Sequence, residues 1–212
     1  MLTLLLPVLF AAAVEVERVL ALVNNVPVLA SDVELAEVGA LVPREPAESD
    51  ADYGRAVLEA LVDLELRWQD LQAAGIAART QVDLDAAWRA TAERAGGEDA
   101  LREKLAKIGF NEGPLRELVR RAAVVQSYVA SRFGPFVRPT SQEVEAFWQQ
   151  ELVPQLKSQG KPVPPLADVR PKVEALLRER KLAAEIDRWT SGLAKRAEIV
   201  RYLAPTAVSS SR

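Results

Sequence analysis

VERVLALVNNVPVLASDVE, residues 16–34, decides the fold, because it joins two strands, a tight turn and a helix start. Residues 16–23 are rich in β-branched and aliphatic side chains, which pack well on a pleated surface. Asn24 and Asn25 follow, and asparagine tolerates the positive φ angles of a type I′ hairpin turn. Residues 26–29 then form the returning strand, so the stretch predicts a β-hairpin.

The hairpin needs a third strand. A two-stranded hairpin alone is marginal in water and leaves its strand edges exposed. Residues 197–203, AEIVRYL, are the best later candidate for a partner strand. We expect Ile199 and Tyr202 to supply its apolar contacts. The sequence therefore predicts a small antiparallel sheet formed by the N-terminal hairpin and a C-terminal strand.

The chain between the two ends of this sheet is predicted to be helical. Ser31 and Glu34 have the spacing of a capping box, which starts the first helix at Asp32. Farther on, apolar residues recur every three or four positions, and turns rich in glycine or proline separate these stretches. The predicted fold class is therefore mainly α, a multi-helix body with the small sheet. The predicted helices span residues 32–41, 51–75, 80–95, 99–108, 111–133, 140–156 and 168–195, with caps at Thr80, at Asn111 and at the pair Thr140 and Glu143.

The composition is typical of a soluble globular protein. The chain has 212 residues, of which 49% are hydrophobic and 27% charged, and its net charge is −3. Residues 14–97 carry 16 acidic and 7 basic residues, whereas residues 98–212 carry 14 acidic and 20 basic residues. Two solvated faces that attract each other explain this asymmetry, and a basic cradle for an acidic client is the alternative. A pI near 5.3 without an aromatic and basic motif argues against nucleic acid as a partner.

The two ends of the chain are predicted to lie outside the folded part. Residues 1–13, MLTLLLPVLFAAA, have the apolar run and small-residue end of a secretory signal peptide, and a buried N-terminal helix is the alternative. That run is too short to span a bilayer and no other is long enough, so we expect no stable membrane insertion. Without any cysteine there is no site for a lipid anchor, which favours the soluble periplasm. Residues 204–212 are predicted to be a disordered tail.

The absence of histidine and cysteine restricts the chemistry of the chain. It removes the usual proton shuttle at neutral pH, the thiol nucleophile and the common zinc or iron ligand sets. Asp83 and Asp85, like Glu143 and Glu145, lie two residues apart on predicted helices and so do not face each other. A serine and lysine dyad is left open, although no Gly-x-Ser-x-Gly motif occurs. The sequence predicts a non-enzymatic protein with no catalytic residues, metal or cofactor.

Five segments, taken in order, resemble the SurA-type periplasmic chaperones and parvulin-type peptidyl-prolyl isomerases. In that family a strand ending in Val-Asn leads into a short strand and a Ser-Asp helix start, and further helices and a final strand follow. The resemblance covers nearly all of the chain after residue 13. The segments are RVLALVNNVPVLASDVE (18–34), LEALVDLELRWQDLQAAGI (58–76), LREKLAKIGFNEGPLRELVRRAAVVQSYV (101–129), PTSQEVEAFW (139–148) and DVRPKVEALLRERKLAAEIDRWTSGLAKRAEIVRYL (168–203).

The resemblance implies the chaperone module of that family without its catalytic domain. It implies an N-terminal chaperone region over residues 14–157 and a C-terminal helix and strand, residues 167–203, that complete the same domain. Where family members carry parvulin domains, residues 158–166 form only a proline-rich linker, and the parvulin histidine has no counterpart. The implied function is ATP-independent holding of unfolded outer-membrane or secreted proteins. A structural adaptor that holds one folded partner, and an isomerase, are the alternatives.

Apolar side chains near loops and helix ends are the predicted contacts for unfolded clients. Core packing is the competing explanation for each of them, above all for the tryptophans, which lie on apolar helix stripes. Phe110, Phe133 and Phe136 are more suggestive, because two of them lie in loops or at helix ends, where an aromatic ring is harder to bury. The full predicted set is Phe110, Leu115, Tyr128, Phe133, Phe136, Phe147, Trp148 and Trp189.

Overall fold

A mainly helical chain with one small antiparallel sheet is seen in the computed structural model, which describes residues 17–202. The N-terminal hairpin and a C-terminal strand form the sheet, as predicted. The predicted signal peptide and C-terminal tail lie outside the described residues. The elements are β1 (Val19–Val23), β2 (Val26–Leu29), α1 (Ala30–Val38), α2 (Asp50–Ala73), α3 (Leu84–Arg94), α4 (Glu98–Lys107), α5 (Glu112–Arg132), a 3-10 turn (Gly134–Phe136), α6 (Ser141–Phe147), a π-helical turn (Trp148–Leu152), α7 (Val153–Ser158), α8 (Leu166–Ala194) and β3 (Ile199–Arg201).

Strand β1 lies in the middle of the sheet, with β2 on one side and β3 on the other. Asn24 and Asn25 form the hairpin turn with φ angles of 48° and 68°, as the sequence predicts. Asn24 also joins the C-terminal segment. Its N–H donates to the Glu198 carbonyl, and its Oδ1 accepts the Glu198 N–H, both at 2.9 Å. One turn residue thus links the two ends of the described chain.

A bulge in β1 increases the apolar surface that the sheet buries. The pairing with β2 shifts between Val19 and Ala21, which leaves Leu20 as an extra residue. Leu20 and Ala21 would face opposite sides of a regular strand, yet they are 1% and 0% exposed. Ile199 packs against this core, whereas Tyr202 is 53% exposed and donates its N–H to the Leu20 carbonyl. The expected apolar contact of Tyr202 is therefore wrong, since its side chain faces solvent.

Helix α1 begins at Ala30, two residues before the predicted start at Asp32. The Asp32 carboxylate accepts the Leu29 N–H at 2.9 Å and so caps the helix from its third position. The predicted capping box of Ser31 and Glu34 is wrong, because β2 runs directly into the helix and leaves no turn in which Ser31 could act as the cap.

Helix α3 begins later than predicted, at Leu84. The Asp83 carboxylate accepts the Ala86 N–H at 2.9 Å and is the cap. Thr80, the predicted cap, donates its hydroxyl to the Ile76 carbonyl at 3.0 Å and so belongs to the turn after α2. Aspartate and threonine are both common helix N-caps, and here the cap is Asp83, the residue directly before the apolar stripe of α3.

Two other predicted caps are confirmed. Asn111 Oδ1 accepts the Gly113 N–H at 2.9 Å at the start of α5. At the start of α6, the Glu143 carboxylate accepts the Thr140 N–H at 2.7 Å, and the Thr140 hydroxyl accepts the Glu143 N–H at 3.2 Å. This second pair satisfies two backbone donors reciprocally, as a capping box does.

Helix α2, 24 residues long, is the central element, because it contacts α1, α5, α8 and the sheet. A polar seam on α2, formed by Glu59, Asp63 and Arg67, binds the C-terminal segment. Glu59 accepts two hydrogen bonds from Arg201 of β3 at 2.6 and 2.7 Å. Arg67 pairs with Asp63 at 3.1 Å, and its Nε donates to Thr190 Oγ1 of α8 at 2.7 Å. The polar seam therefore adds directional contacts to the apolar packing of α8 and β3.

The arm, residues 141–177, is a second and smaller packing unit. It comprises α6, the π-helical turn, α7 and the first half of α8. Its buried core consists of Val144, Trp148, Val173 and Leu177, all of which belong to the arm. The other clusters of buried residues lie in the body, which we define as residues 17–133 and 178–202.

Helix α8 joins the arm to the body by presenting opposite faces to them. Val173 packs in the arm, whereas Leu182 and Leu193 pack in the body. Val173 and Leu182 are about two and a half helical turns apart, so they project from opposite sides of the helix. The helix has 29 residues and is therefore about 43 Å long. The arm and the body consequently pack on opposite sides of one long helix.

The π-helical turn Trp148–Leu152 connects α6 to α7 without a break in the helical path. The Val153 N–H donates to the Trp148 carbonyl, one residue farther back than in an α-helix. Pro154 follows, and proline lacks an N–H and brings its ring against the carbonyl four residues earlier. The wider turn gives that ring room.

Candidate functional site

Three of the predicted contact residues come together where α5 ends against α8. Tyr128 and Phe133 lie at the end of α5, and Trp189 lies on the second half of α8. The ring centroid of Trp189 is 5.4 Å from that of Tyr128 and 5.9 Å from that of Phe133. The Tyr128 and Phe133 centroids are 6.4 Å apart in an edge-to-face arrangement. Such spacings are favourable for aromatic pairs, and all three rings are half-buried.

The orientation of Trp189 is fixed from both ends. Its Nε1 donates to Asp70 Oδ2 of α2 at 3.2 Å. Its ring also packs on the buried body cluster that contains Leu71, Val125 and Val129. The aromatic cluster is therefore held in place by the body and does not depend on a bound partner.

Phe136, three residues after Phe133, is largely exposed to solvent. It is 75% exposed, more than any other large hydrophobic side chain within residues 17–202. The 3-10 turn Gly134–Phe136 follows α5, and the three-residue spacing of Phe133 and Phe136 is the spacing of side chains on one side of such a turn. Val137, the next residue, is 2% exposed and fastens the turn to the protein. We call Tyr128, Phe133, Phe136 and Trp189 the aromatic patch.

Two arginines flank the aromatic patch. The Arg132 guanidinium lies 5.8 Å from the centroid of the Phe133 ring. Arg138 follows the 3-10 turn and is exposed. Neither arginine forms a salt bridge within the described part of the chain, whereas Arg120 and Arg121 on the same helix as Arg132 are paired with Glu117. The patch is therefore apolar at its centre and positively charged at its edge.

The other four predicted contact residues lie elsewhere. Leu115 and Trp148 are 0% and 5% exposed, so in this conformation they offer no surface to a partner. Phe110 is half-buried against the cluster around α3, α4 and α5. Phe147 is half-buried in the arm, where the Arg180 guanidinium lies 5.6 Å from its ring centroid. The sequence pattern alone does not separate these side chains from the aromatic patch.

A small cleft that the sequence did not predict lies between β2, α1, α2 and α5. Its volume of about 50 Å³ leaves room for a few water molecules. The residues that line it come from distant parts of the sequence, and no local motif marks them. They are Pro27, Val28, Asp32, Leu61, Leu64, Glu65, Leu118 and Arg121.

Two of the three charged residues that line this cleft, Glu65 and Arg121, are paired with each other. Glu65 is 8% exposed and accepts a hydrogen bond from Arg121 at 3.3 Å. Burial raises the pKa of the Asp32 carboxyl. Hydrogen bonds from Arg120 and then Arg121 lower the pKa of Glu117 to about 2. Because Glu65 is paired with Arg121, Asp32 accepts the Leu29 N–H and the volume is small, the cleft supports the packing of α2 on α5 and offers little to a ligand.

Among residues 17–202, acidic side chains nowhere form a group of three or more that could hold a metal ion. Over the same residues, no helix combines the length and the apolar character needed to cross a membrane.

No protein-family model matches the chain, and no curated protein matches it at a significant level. Its function is therefore argued from its own residues and their geometry.

Proposed function

We propose that this protein is an exported, ATP-independent chaperone that holds unfolded outer-membrane or secreted proteins and has no isomerase activity. The aromatic patch is the client-binding surface. The observation that carries the proposal is the 75% exposure of Phe136 in the turn that directly follows Phe133, one of three aromatic rings that the body already holds in place. The apolar run in residues 1–13 supports export, and the resemblance to SurA-type chaperones supports the client class.

Exposure of the Phe136 ring to solvent is unfavourable for the protein alone. Burying a side chain of this size is worth about 1.5–3 kcal/mol, which the protein alone does not gain. The exposed Phe136 ring is therefore available to an apolar segment of another chain. Because the rings of Phe133 and Trp189 are already ordered, a client would pay little to order this side of the contact.

The arginines at the edge of the patch favour segments without excess positive charge. Arg132 and Arg138 repel a basic segment and attract an acidic one, an effect that salt weakens. The patch binds apolar rings through its centre in either case. Charge therefore adjusts which segments bind, and the aromatic surface supplies most of the affinity.

A structural adaptor that holds one folded partner is the second candidate. It is favoured by the rigidity of the patch, in which Trp189 is hydrogen-bonded to Asp70 at 3.2 Å. Surfaces that accept many clients are often flexible and rich in methionine, and this chain has one methionine, at position 1. The two candidates share a binding surface and differ in the range of partners.

An aggregation assay tests the proposal. The purified protein, at near-stoichiometric amounts, should suppress the aggregation of several unrelated unfolded proteins. The substitution Phe136→Ser should weaken holding by about tenfold or more, because it removes the most exposed ring. Leu176→Ser is the matched control, since Leu176 is 49% exposed but lies in the arm, about 20 Å along α8 from Trp189. Both variants should keep the thermal melting temperature of the parent.

Each contrary outcome has a defined meaning. If the protein protects no client but co-purifies with one native protein through Phe136, the adaptor replaces the chaperone. Equal holding by the parent and the Phe136→Ser variant would show that the patch is not the client surface.

A further inference from the structure

The arm tip, residues 156–172, carries an exposed set of lysines. Lys157, Lys161 and Lys172 are all exposed, and none forms a salt bridge within the described residues. Asp168 is the one acidic residue in this segment. Arg170, the remaining base, lies 3.9 Å from Glu145 and 3.8 Å from Glu174. The arm tip is therefore positively charged, and its three free cations are lysines.

The loop at the arm tip displays apolar groups on a stiff backbone. Helix α7 ends at Ser158, Gly160 then has a φ of 64° that suits glycine, and the Lys161 N–H donates to the Leu156 carbonyl at 2.9 Å. Pro162, Pro164 and Pro165 follow, and each proline fixes its own φ angle. Val163, between them, is 39% exposed. The tip thus presents an apolar side chain and proline rings among lysines, without the entropy cost of ordering a flexible loop.

The type of cation indicates the type of partner. Recognition of carboxylates or phosphates with fixed geometry favours the bidentate arginine fork, whereas lysine is a point charge that binds an anion from many directions. The one arginine of the tip, Arg170, faces two glutamates of the arm. Three mobile lysines around a convex apolar loop fit a flat, deformable surface with many phosphates better than a shaped protein site.

The charge distribution of the molecule fixes the direction of approach to such a surface. The body carries 24 acidic and 21 basic residues, whereas the arm tip carries four basic residues and one acidic residue, so an anionic surface attracts the tip and weakly repels the body. Lys172 is about 15 Å along α8 from Leu182, where the helix begins to pack on the body. The Debye length at physiological salt is about 8 Å, so the repulsion is screened over that distance. An anionic surface is therefore approached tip first.

We propose that the arm tip docks on the surface of an anionic lipid bilayer. Lys157, Lys161 and Lys172 contact lipid phosphates, and Val163 with its neighbouring prolines enters the headgroup layer. The contact is reversible, since three lysines and one loop fall short of stable anchoring. It does not depend on the aromatic patch, and it leaves that patch free for a partner.

Co-flotation of the full chain with lipid vesicles tests the proposal. The chain should float with vesicles of phosphatidylglycerol and phosphatidylcholine in equal amounts, and binding should fall as salt is raised. Pure phosphatidylcholine vesicles measure binding that does not depend on lipid charge, including any contribution of the apolar N-terminal residues. The triple substitution Lys157→Gln, Lys161→Gln and Lys172→Gln should weaken the charge-dependent binding by about 100-fold, or about fivefold per lysine.

A charge-matched variant separates the arm tip from net charge. Lys107→Gln, Lys195→Gln and Arg89→Gln remove three positive charges from exposed positions of the body. This variant should bind vesicles as the parent does, and both triple variants should melt at the parent temperature. Val163→Ser should weaken binding severalfold.

Two results would overturn the proposal. Equal vesicle binding by the tip variant and the parent would exclude the lysines. Lysine-dependent binding to soluble polyglutamate, together with no binding to the anionic vesicles, would replace the bilayer with an acidic protein surface.

Discussion

The two halves of α8 pack in different environments although they belong to one continuous helix. The second half places Leu182, Ile186 and Leu193 into the large apolar clusters of the body, and Arg67 of the polar seam binds it. The first half places Val173 and Leu177 into a core whose other buried members are Val144 and Trp148. The second half of α8 packs into two large apolar clusters, whereas the first half packs into one small cluster.

This difference suggests that the arm and the body differ in stability. A unit with few buried side chains opens locally at a lower free energy than the rest of a protein. Because the arm and body use opposite faces of α8, loss of the arm core removes no side chain from the body core. The helix can thus fray from its first half while its second half stays packed.

Leu193→Ala should produce the largest effect. Leu193 is 7% exposed in the body cluster that includes the sheet, and a Leu to Ala change at such a site costs about 2–5 kcal/mol. For a chain of this size the melting temperature should fall by about 2–4 °C per kcal/mol. Differential scanning calorimetry measures the shift. An unchanged main transition would mean that the second half of α8 is not part of the body core.

Leu177→Ala is the matched change in the arm, at 9% exposure on the same helix. The same chemistry should act locally here: amide hydrogen exchange should accelerate across residues 141–177, and the main calorimetric transition should stay within about 2 °C of the parent. If the main transition moves as far as it does for Leu193→Ala, the arm and the body unfold as one unit and the comparison fails.

The smallest effect is expected from Lys181→Gln, which tests an ion pair that joins α6 to α8. Hydrogen bonds from Lys181 and from the Thr140 backbone lower the pKa of Glu143 to about 2. Because this pKa lies below the ordinary value of 4.5, the contacts stabilise the arm above pH 4.5, and their contribution is lost as the pH falls towards 2. The substitution should raise the pKa of Glu143 towards 4.5.

NMR titration of the glutamate carboxyl groups measures this change and contains its own control. Glu117, whose pKa is also about 2, is held by Arg120 and Arg121 in the body and should not respond. A Glu143 pKa that stays near 2 without Lys181 would show that the Thr140 contacts suffice.

Local sequence patterns predicted the start of α6. Thr140 and Glu143 form the expected pair, in which each side chain satisfies the backbone N–H of the other residue. At α1, however, two acidic residues follow Ser31. Because the chain enters the helix directly from β2, Asp32 is the residue that caps it. The outcome depends on the direction of the preceding strand, which side-chain spacing does not encode.

The sheet was predicted for a different reason. Residues 197–203 were the one late segment with a strand pattern, and an N-terminal hairpin needs a partner. Observed pairing of Ile199–Arg201 with β1 confirms it. By contrast, the bulge at Leu20 depends on how both sides of β1 are filled, and the sequence of one strand does not contain that information.

All four residues of the aromatic patch belong to the predicted contact set, but the sequence does not show that three of their rings meet. Phe133 and Phe136 were singled out because loops and helix ends bury rings poorly, and Phe136 is indeed exposed. The approach of Tyr128 and Phe133 to Trp189 requires the packing of α5 on α8, which no local pattern gives.

One signal of the arm was present in the sequence: the five-residue step from Leu177 to Leu182 breaks the three- and four-residue spacing of a single apolar stripe.

Because of that five-residue step, the orientation of the arm relative to the body depends on the number of residues between Leu177 and Leu182. Each residue added to a helix turns everything beyond it by about 100° and moves it by about 1.5 Å. One insertion between Leu177 and Leu182 would keep every contact inside the arm and every contact inside the body, yet point the arm in a new direction. Four insertions would restore nearly the present direction one turn farther out. The distance and direction from the lysine-bearing tip to the aromatic patch thus depend on the length of α8. Insertions and deletions can change that length while both packed units stay intact.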